Sequence, residues 1–538
     1  MDATQRQQRL GAALRCLGAG HWRRAETECQ AVLAVHPNEV EARLLLGLAV
    51  AAMGEPDRAA PALDQVMRER PDYAHPCDDL AAFRPALPRS LVAAQYRACL
   101  RLAPDNVALR RTFAAFLLEN DDAAEAVAVL SDALDSASAH NLMGMALADL
   151  GRFHDAIDLF RQAVTLDPEP AAGWSNLALV LKVEGRFDEA LAAYDEAIQR
   201  NPDDAQIRVN RAVALLQSGR WTEAWTDYEW RLRLSANSTL PPHRLLPALA
   251  GLGDLHGRTI LAVHEEGFGD TLHFARYLPL LAERGARVLA MVPQPLERLI
   301  GRVAGIESVL STAASLPAYD YYCPFFSLPR AFGTTVADIP GAPYLTADPA
   351  LTAKWQPVLP EGGLRVGLVW AGQARPWLPG FATLDRRRSV GLAVFAPLAQ
   401  VTGVRFVNLQ MGPAAAEVHQ PPAGLVLTDP MPDVADFADT AAIVAGLDLV
   451  ISVDTAVVHL AGGMGKPVFM LDRYDNCWRW LSGRADSPWY PNLTIFRQTD
   501  PNRWDEPMAR LVAALAAFRD RVATAPHPSP ARGFADAA

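Results

Sequence analysis

Two periodicities divide the chain. Over roughly the first 230 residues, apolar and small side chains recur at helical spacing in short amphipathic stretches, each closed by a proline or a glycine-containing turn. The stretch NLMGMALADLGRFHDAIDLFRQAVTLDP, ending at Pro168, overlays NLALVLKVEGRFDEALAAYDEAIQRNP, ending at Pro202: Ala156, Phe160, Ala163 and Pro168 return as Ala190, Tyr194, Ala197 and Pro202, 34 positions on. Ala25 and Pro37 return as Ala59 and Pro71, Pro104 follows Pro71 by 33, and Ala224 and Tyr228 extend the later columns. From about residue 258 the pattern changes to apolar runs of five to seven residues, bounded by glycine and alternating with helical stretches. That alternation predicts βαβ units and parallel sheets.

The first pattern predicts pairs of antiparallel helices. Small residues such as Gly144 let the two helices approach, larger ones such as Phe160 and Tyr194 fill the space between neighbouring pairs, and the proline stops the second helix. No such pair buries its apolar face alone, so several must stack. The columns, with Trp174 at the characteristic tryptophan position, resemble the tetratricopeptide repeat, with about seven units between residues 6 and 234. A solenoid of this kind implies a surface that holds an extended peptide or a protein partner.

In the second pattern, TILAV (Thr259–Val263) reads as a buried strand, followed by a glycine loop, a helix to about Arg284 and a second strand at ARVLAMV. LRVGLVWAG (Leu364–Gly372) starts another unit, with an irregular segment, a strand at Val404–Gln410, a helix near Asp436–Ala445, a strand at Leu449–Val453, a helix from Thr455 and a strand at Pro467–Leu471. The expected organisation is a solenoid over 1–234, a linker over 235–257, a first α/β lobe over 258–350, a second over 351–520 and a disordered Ala/Pro-rich tail over 521–538.

Net charge is −11, from 50 basic and 61 acidic residues, which argues against a general nucleic-acid or anionic-membrane binder. The six cysteines form no CxxC pair and read as reduced core residues. No signal peptide opens the sequence and no run of apolar residues reaches membrane-spanning length, so the expectation is a cytoplasmic protein.

Ligands of open α/β sheets bind beyond the carboxyl ends of the strands, and three clusters fall there. In VISVDTAVVHLAGGMGKPV, Asp454 and Thr455 follow a strand and can cap a helix whose first N–H groups suit a diphosphate, with Ala456 and His459 in the next turn. The run Arg386, Arg387, Arg388 and Ser389 follows a strand and glycine loop, where arginine suits bidentate phosphate recognition. After the first strand come Glu265, Glu266, Gly267, Gly269 and Asp270; Asp270 either caps the helix or faces the cleft as a proton acceptor, with Glu265 and Glu266 as alternates. Trp370, Gly372, Trp478 and Trp480 complete the cleft candidates, the Asp475–Trp480 segment with Trp489 and Tyr490 either stacking on a nucleotide or packing between lobes.

HEEGFGDTLHFARYLPLL, CPFFSLPRAFGTT, RVGLVWAG, DRRRS, DFADTAAIVAGLDLVISVDTAVVHLAGGMGKPV, WRWL and DSPWYP together resemble bacterial tetratricopeptide glycosyltransferases whose catalytic half is similar to the heptosyltransferases. The resemblance implies an α + α/β fold: an all-α solenoid followed by a GT-B pair of Rossmann-like lobes. It implies inverting transfer from a nucleotide sugar, which serves as co-substrate, with no cofactor and no catalytic metal. The implied acceptor is a Ser or Thr hydroxyl of a protein such as flagellin, recruited by the solenoid. A glycolipid acceptor and a non-catalytic scaffold are the alternatives. By position, Asp270 matches the catalytic base, and Asp454, Thr455 and His459 match the donor-phosphate element, with Ala456 where glycine is usual. Leu384 stands where relatives carry Asn ahead of Asp385, Arg386, Arg388 and Ser389, and His264-Glu265-Glu266 replaces a common Gly-Glu-Gln.

Overall fold

The computed structural model describes residues 1–53, 55–69, 89, 92–93, 96–97, 100, 104–234, 240–252, 254–311, 316–341, 343–373 and 381–524. The chain forms two compact units, Met1–Leu177 and Ala178–Ala538.

The first unit consists of helical hairpins. Among the described residues its helices span Ala3–Gly18, Trp22–Leu33, Val40–Ala52, Pro56–Glu69, Val107–Glu119, Ala123–Leu130, Ala137–Asp149 and Phe153–Leu166, and Ala171–Val183 crosses into the second unit. Side chains start several of them: Asp2, Asn106, Asp122 and Ser136 each accept a hydrogen bond from a first-turn N–H. The small columns are packing contacts. A Cβ on Gly144 would meet the Phe160 ring at 2.8 Å, and one on Gly47 would meet Leu63 at 2.7 Å. Gly151, Gly185 and Gly219, again 34 apart, turn each hairpin with φ of 79°, 71° and 85°, a conformation that glycine adopts without strain. Pro71 and most of the neighbouring repeat lie outside the described residues.

The second unit opens with the hairpin helices Phe187–Arg200, Ala205–Gln217 and Trp221–Tyr228 and continues into two parallel sheets. Strands β1 (Thr259–Val263), β2 (Arg287–Met291), β3 (Ile306–Leu310) and β4 (Tyr321–Pro324) form the first sheet in the order β3-β2-β1-β4. Strands β5 (Leu364–Val369), β6 (Val404–Asn408), β7 (Leu427–Thr428), β8 (Leu449–Val453), β9 (Val468–Asp472) and β10 (Leu493–Arg497) form the second, in the order β10-β9-β8-β5-β6-β7. Every pairing between these strands is parallel. β8 and β9 are buried along their whole length, in keeping with their largely apolar sequence, and Ser452 and Asp472 are buried with them. The C-terminal helix Asp505–Thr524 packs Met508, Leu511 and Leu515 into the core of the second sheet.

Three expectations change. Arg386, Arg387 and Arg388 do not lie on an irregular loop: Phe381–Arg388 is an α-helix, and residues 374–380 before it lie outside the described residues. Arg521–Thr524 extend the last helix, while 525–538 lie outside the described residues. The segment between repeats and sheets is irregular yet packed: the Leu246 N–H donates to the Tyr322 carbonyl at 2.8 Å, and Leu246, Leu249 and Leu255 are buried. Its residues 235–239 and 253 lie outside the described residues.

The last repeat helices share a core with the sheets. Trp221 stacks on Trp489 (centroids 5.1 Å apart) and meets Trp478 edge-on at 6.2 Å, and Tyr228 packs on Phe326 at 5.8 Å. The Trp225 indole N–H donates to the Thr334 carbonyl at 2.8 Å. Large aromatic area buried this way is what joins residues 178–234 to the α/β half.

Candidate functional site

Strand order locates the site. In the first sheet the order reverses at β1, between β2 and β4; in the second it reverses at β5, between β6 and β8. Crevices at such switch points, beyond the carboxyl ends of the strands, receive ligands in open α/β sheets.

After β1 the chain turns sharply at Glu266, whose φ of 57° is uncommon for a residue with a side chain. The helix Phe268–Phe274 follows. Asp270 accepts twice: its Oδ2 from the Gly267 N–H at 3.0 Å, and its Oδ1 from Arg479 Nη2 at 2.6 Å across the two lobes. Glu265 is turned to the repeat side instead, where Arg231 holds it at 2.9 Å; burial raises its carboxyl above the usual range against the pull of Arg231. Glu266 is exposed.

On the second sheet, β5 runs into Trp370, Ala371 and Gly372. The Arg388 guanidinium lies against Gly372, where a Cβ would meet Nη2 at 2.6 Å; it pairs with Asp385 at 2.7 Å and donates to the Gln373 carbonyl at 3.3 Å. The Gly372 N–H donates to Ser389 Oγ at 3.1 Å. Arg387 leans the other way, onto Asp475 at 2.9 Å, and exposed Arg386 donates to Thr383 at 2.9 Å. After β8, Asp454 is partly exposed and Thr455 occupies the N-cap of the helix Ala456–Gly463. Its hydroxyl does not cap that helix; it pairs with Ser452 Oγ at 3.0 Å. Among the described residues the N-cap side chain leaves the first-turn N–H groups without its acceptor.

The two carboxyl edges face each other through these helices. A Cβ on Gly269 would meet His459 Cδ2 at 3.0 Å and Ala456 Cα at 3.2 Å, so glycine sets the approach. Behind this contact lies a buried polar seam. His273 Nδ1 lies 3.1 Å from His459 Nδ1, which lies 3.0 Å from the Tyr490 hydroxyl. Burial, reinforced by Arg479 and Arg276, holds His459 well below the usual histidine range, and burial beside His459 does the same to His273. Arg276 spans the seam, donating to the His273, Pro340 and Trp489 carbonyls at 3.0, 2.8 and 3.0 Å. Farther out, Arg298 bridges Asp436 and Asp439 of the second lobe at 2.5 and 2.8 Å.

Three aromatic candidates present no face to a ligand. Trp370 and Trp480 are fully buried, Trp480 stacked on the His459 ring at 5.4 Å, and Trp478 sits in the cluster with Trp221, Trp225 and Trp489. His459 is likewise a packing residue of the seam, 5% exposed. Residues that sequence reasoning passed over are Arg479, which meets Asp270, and Arg473, whose Nε lies 3.0 Å from Asp475 Oδ1 just beyond β9. Arg479 stands 209 positions from its partner, and no local pattern signals such a pair.

Comparison with known proteins matches the tetratricopeptide repeat family at residues 10–74, 137–170 and 176–229. The N-terminal part of the chain is a tetratricopeptide-repeat array. The chain is similar to Protein FlbA of Caulobacter vibrioides, 29% identical over 488 residues that cover 83% of this chain and 79% of that protein. Among solved structures, the glycosyl transferase family 9 protein of Veillonella parvula is 12% identical, covering 50% of this chain and 99% of its own, with a TM-score of 0.38. The ADP-heptose lipopolysaccharide heptosyltransferase II of E. coli is 12% identical, covering 49% of this chain and 100% of its own, with a TM-score of 0.37. The tetratricopeptide array is followed, as expected, by two α/β lobes, each built on a parallel sheet. Among the described residues no helix is long and apolar enough to cross a membrane.

Proposed function

We propose that the protein is an inverting glycosyltransferase that moves a sugar from a nucleotide donor to a hydroxyl of a protein acceptor, flagellin being one candidate. The observation that carries this reading is the meeting of two switch points: on the first sheet Gly269, beside the carboxylate Asp270, packs against the uncapped start of the helix Ala456–Gly463 on the second, with Arg388 on the adjacent strand end. A donor phosphate accepts hydrogen bonds from the first N–H groups of that helix and from Arg388. Asp454 is an anion and repels phosphate; its carboxylate is suited to accepting hydrogen bonds from hydroxyls of the ribose or sugar.

Asp270 takes the proton of the acceptor hydroxyl as its oxygen bonds to the anomeric carbon. The bond from that carbon to the phosphate oxygen breaks on the opposite face, which inverts the configuration. The electron pair leaves with the nucleotide, whose growing charge is stabilised by Arg388 and the helix N–H groups already in place. These steps use side chains and backbone alone. The repeats supply the surface for a protein acceptor, which favours a protein over a glycolipid.

The test is thermal unfolding against UDP, GDP, ADP and CMP and their sugar conjugates, on wild type and Arg388→Ala. Binding to the folded state raises the midpoint by mass action. The expected result is a shift with one nucleotide class that the variant loses; no shift with any of them overturns the donor reading.

A further inference from the structure

The loop after β9 is braced from the repeats. Gln217, the last residue of the helix Ala205–Gln217, donates through Nε2 to Asn476 Oδ1 at 2.6 Å, and Asn476 Nδ2 donates to the Leu481 carbonyl at 2.8 Å. These bonds close the short helical turn Trp478–Trp480, which the chain leaves through Leu481 at φ 48°, a conformation uncommon for a residue with a side chain. Arg479 is the middle residue of that turn.

Arg479 is buried, and its charge reaches across to the first lobe. Nη2 donates to Asp270 Oδ1 at 2.6 Å and Nη1 to Cys477 Sγ at 3.2 Å. The guanidinium lies over the rings of Trp478, Phe326 and Phe274 at 4.7, 5.3 and 5.7 Å. Among the described residues Asp270 is its one carboxylate partner, and its buried Nε has no hydrogen-bond partner. An apolar side chain would fill such an aromatic cage at lower cost, because one ion pair only partly offsets the desolvation of a buried guanidinium with an unmet N–H. What arginine alone brings is a charged, planar group of fixed geometry aimed at Asp270. The carboxylate is thereby held at both oxygens, Oδ2 by the Gly267 N–H and Oδ1 by Arg479, which sets its plane. A carboxylate offers about four lone-pair positions, so others remain for an acceptor hydroxyl, and the Asp270 side chain is 22% exposed.

We infer that Arg479 is the positioning residue of the base: it orients the Asp270 carboxylate toward the acceptor hydroxyl, and Gln217 of the repeats holds the turn that carries it. This rests on the transferase reading above and deepens it. In this role Arg479 gives up no proton and acts through Asp270, so its loss slows the chemical step and spares donor binding.

The experiment follows release of nucleotide from UDP-, GDP-, ADP- and CMP-sugars by the full chain, with water as the acceptor, and measures nucleotide affinity by calorimetry. The proteins are wild type, Asp270→Asn, Arg479→Gln, Arg479→Lys, Gln217→Leu and the double variant Asp270→Asn/Arg479→Gln. Arg479→Gln is expected to lower kcat roughly 10- to 100-fold with KM and nucleotide affinity within a few-fold of wild type. Arg479→Lys, which keeps the charge but not the fork, should fall between the two, and Gln217→Leu should lower kcat about 3- to 10-fold. The double variant should be no slower than Asp270→Asn, as a residue acting through Asp270 requires. Urea unfolding identifies any variant that fails to fold; if Arg479→Gln is one, Arg479→Lys decides. Wild-type kcat in the deciding variant, with Asp270→Asn slowed, overturns the inference and leaves the transferase reading standing. So does a fall in nucleotide affinity as large as the fall in kcat, which makes the arginine a structural residue, or a double variant slowed by the product of the single effects. Wild-type kcat in Gln217→Leu overturns the part assigned to the repeats. No release from any conjugate by wild type overturns the transferase reading and the inference with it.

Discussion

At the scale of single residues, the site is governed by short contacts that tolerate no extra atom. Gly269 is the clearest: one methyl group there pushes against His459 and the Ala456 backbone. Gly269→Ala is expected to cost about 1–3 kcal/mol of stability, by chemical denaturation, and to weaken donor binding as the two helices part. Asp270→Asn keeps the shape but not the proton acceptor. Its expected effect is a loss of about 10²–10⁴ in kcat with donor affinity within a few-fold of wild type; full turnover in this variant refutes the base assignment. The local sequence made Asp270 and Gly269 visible because a glycine loop between strand and helix is itself a short-range pattern. It did not make Arg479 visible, and it left Trp478 and Trp480 open between stacking on a ligand and packing between lobes, since exposure of an aromatic ring depends on segments distant in sequence.

At the scale of elements, strands were the most legible. Leu449–Val453 and Thr259–Val263 form where the apolar runs lie, because a strand buried on both faces needs an uninterrupted run. The Phe381–Arg388 helix was not legible: consecutive arginines carry no apolar periodicity, and what holds them is pairing with Asp385 and Asp475. The helices Phe268–Phe274 and Ala456–Gly463 meet through His273 and His459, both depressed by burial. The unfolded chain takes up protons at these histidines below about pH 6.5 while the folded chain does not, so stability falls as pH drops below that value. The expected slope is about 1.4 kcal/mol per pH unit for each histidine. Urea titrations at pH 7.5, 6.5 and 5.5 measure it, and His459→Asn should show a shallower decline.

At the scale of the molecule, the repeats and the α/β half are not independent modules. Trp221, Trp225 and Tyr228 are as much a part of the α/β core as of the solenoid. A chain beginning near residue 171 is expected to unfold cooperatively, whereas one beginning near 240 exposes Phe326, Trp478 and Trp489 and should aggregate or melt far lower; circular dichroism and light scattering distinguish them. Equal stability of the two shortened chains contradicts this account.

The sequence by itself determined the repeat period, the helix-turn glycines, the parallel strands and the loops that end them, because each depends on neighbours within about 34 residues. Only the tertiary structure decided which of those loops share a crevice, that Arg479 meets Asp270, that the tryptophans are core, and that Arg387 and Arg473 converge on Asp475. Those outcomes depend on burial and charge contributed from opposite ends of the chain, and no periodicity records them.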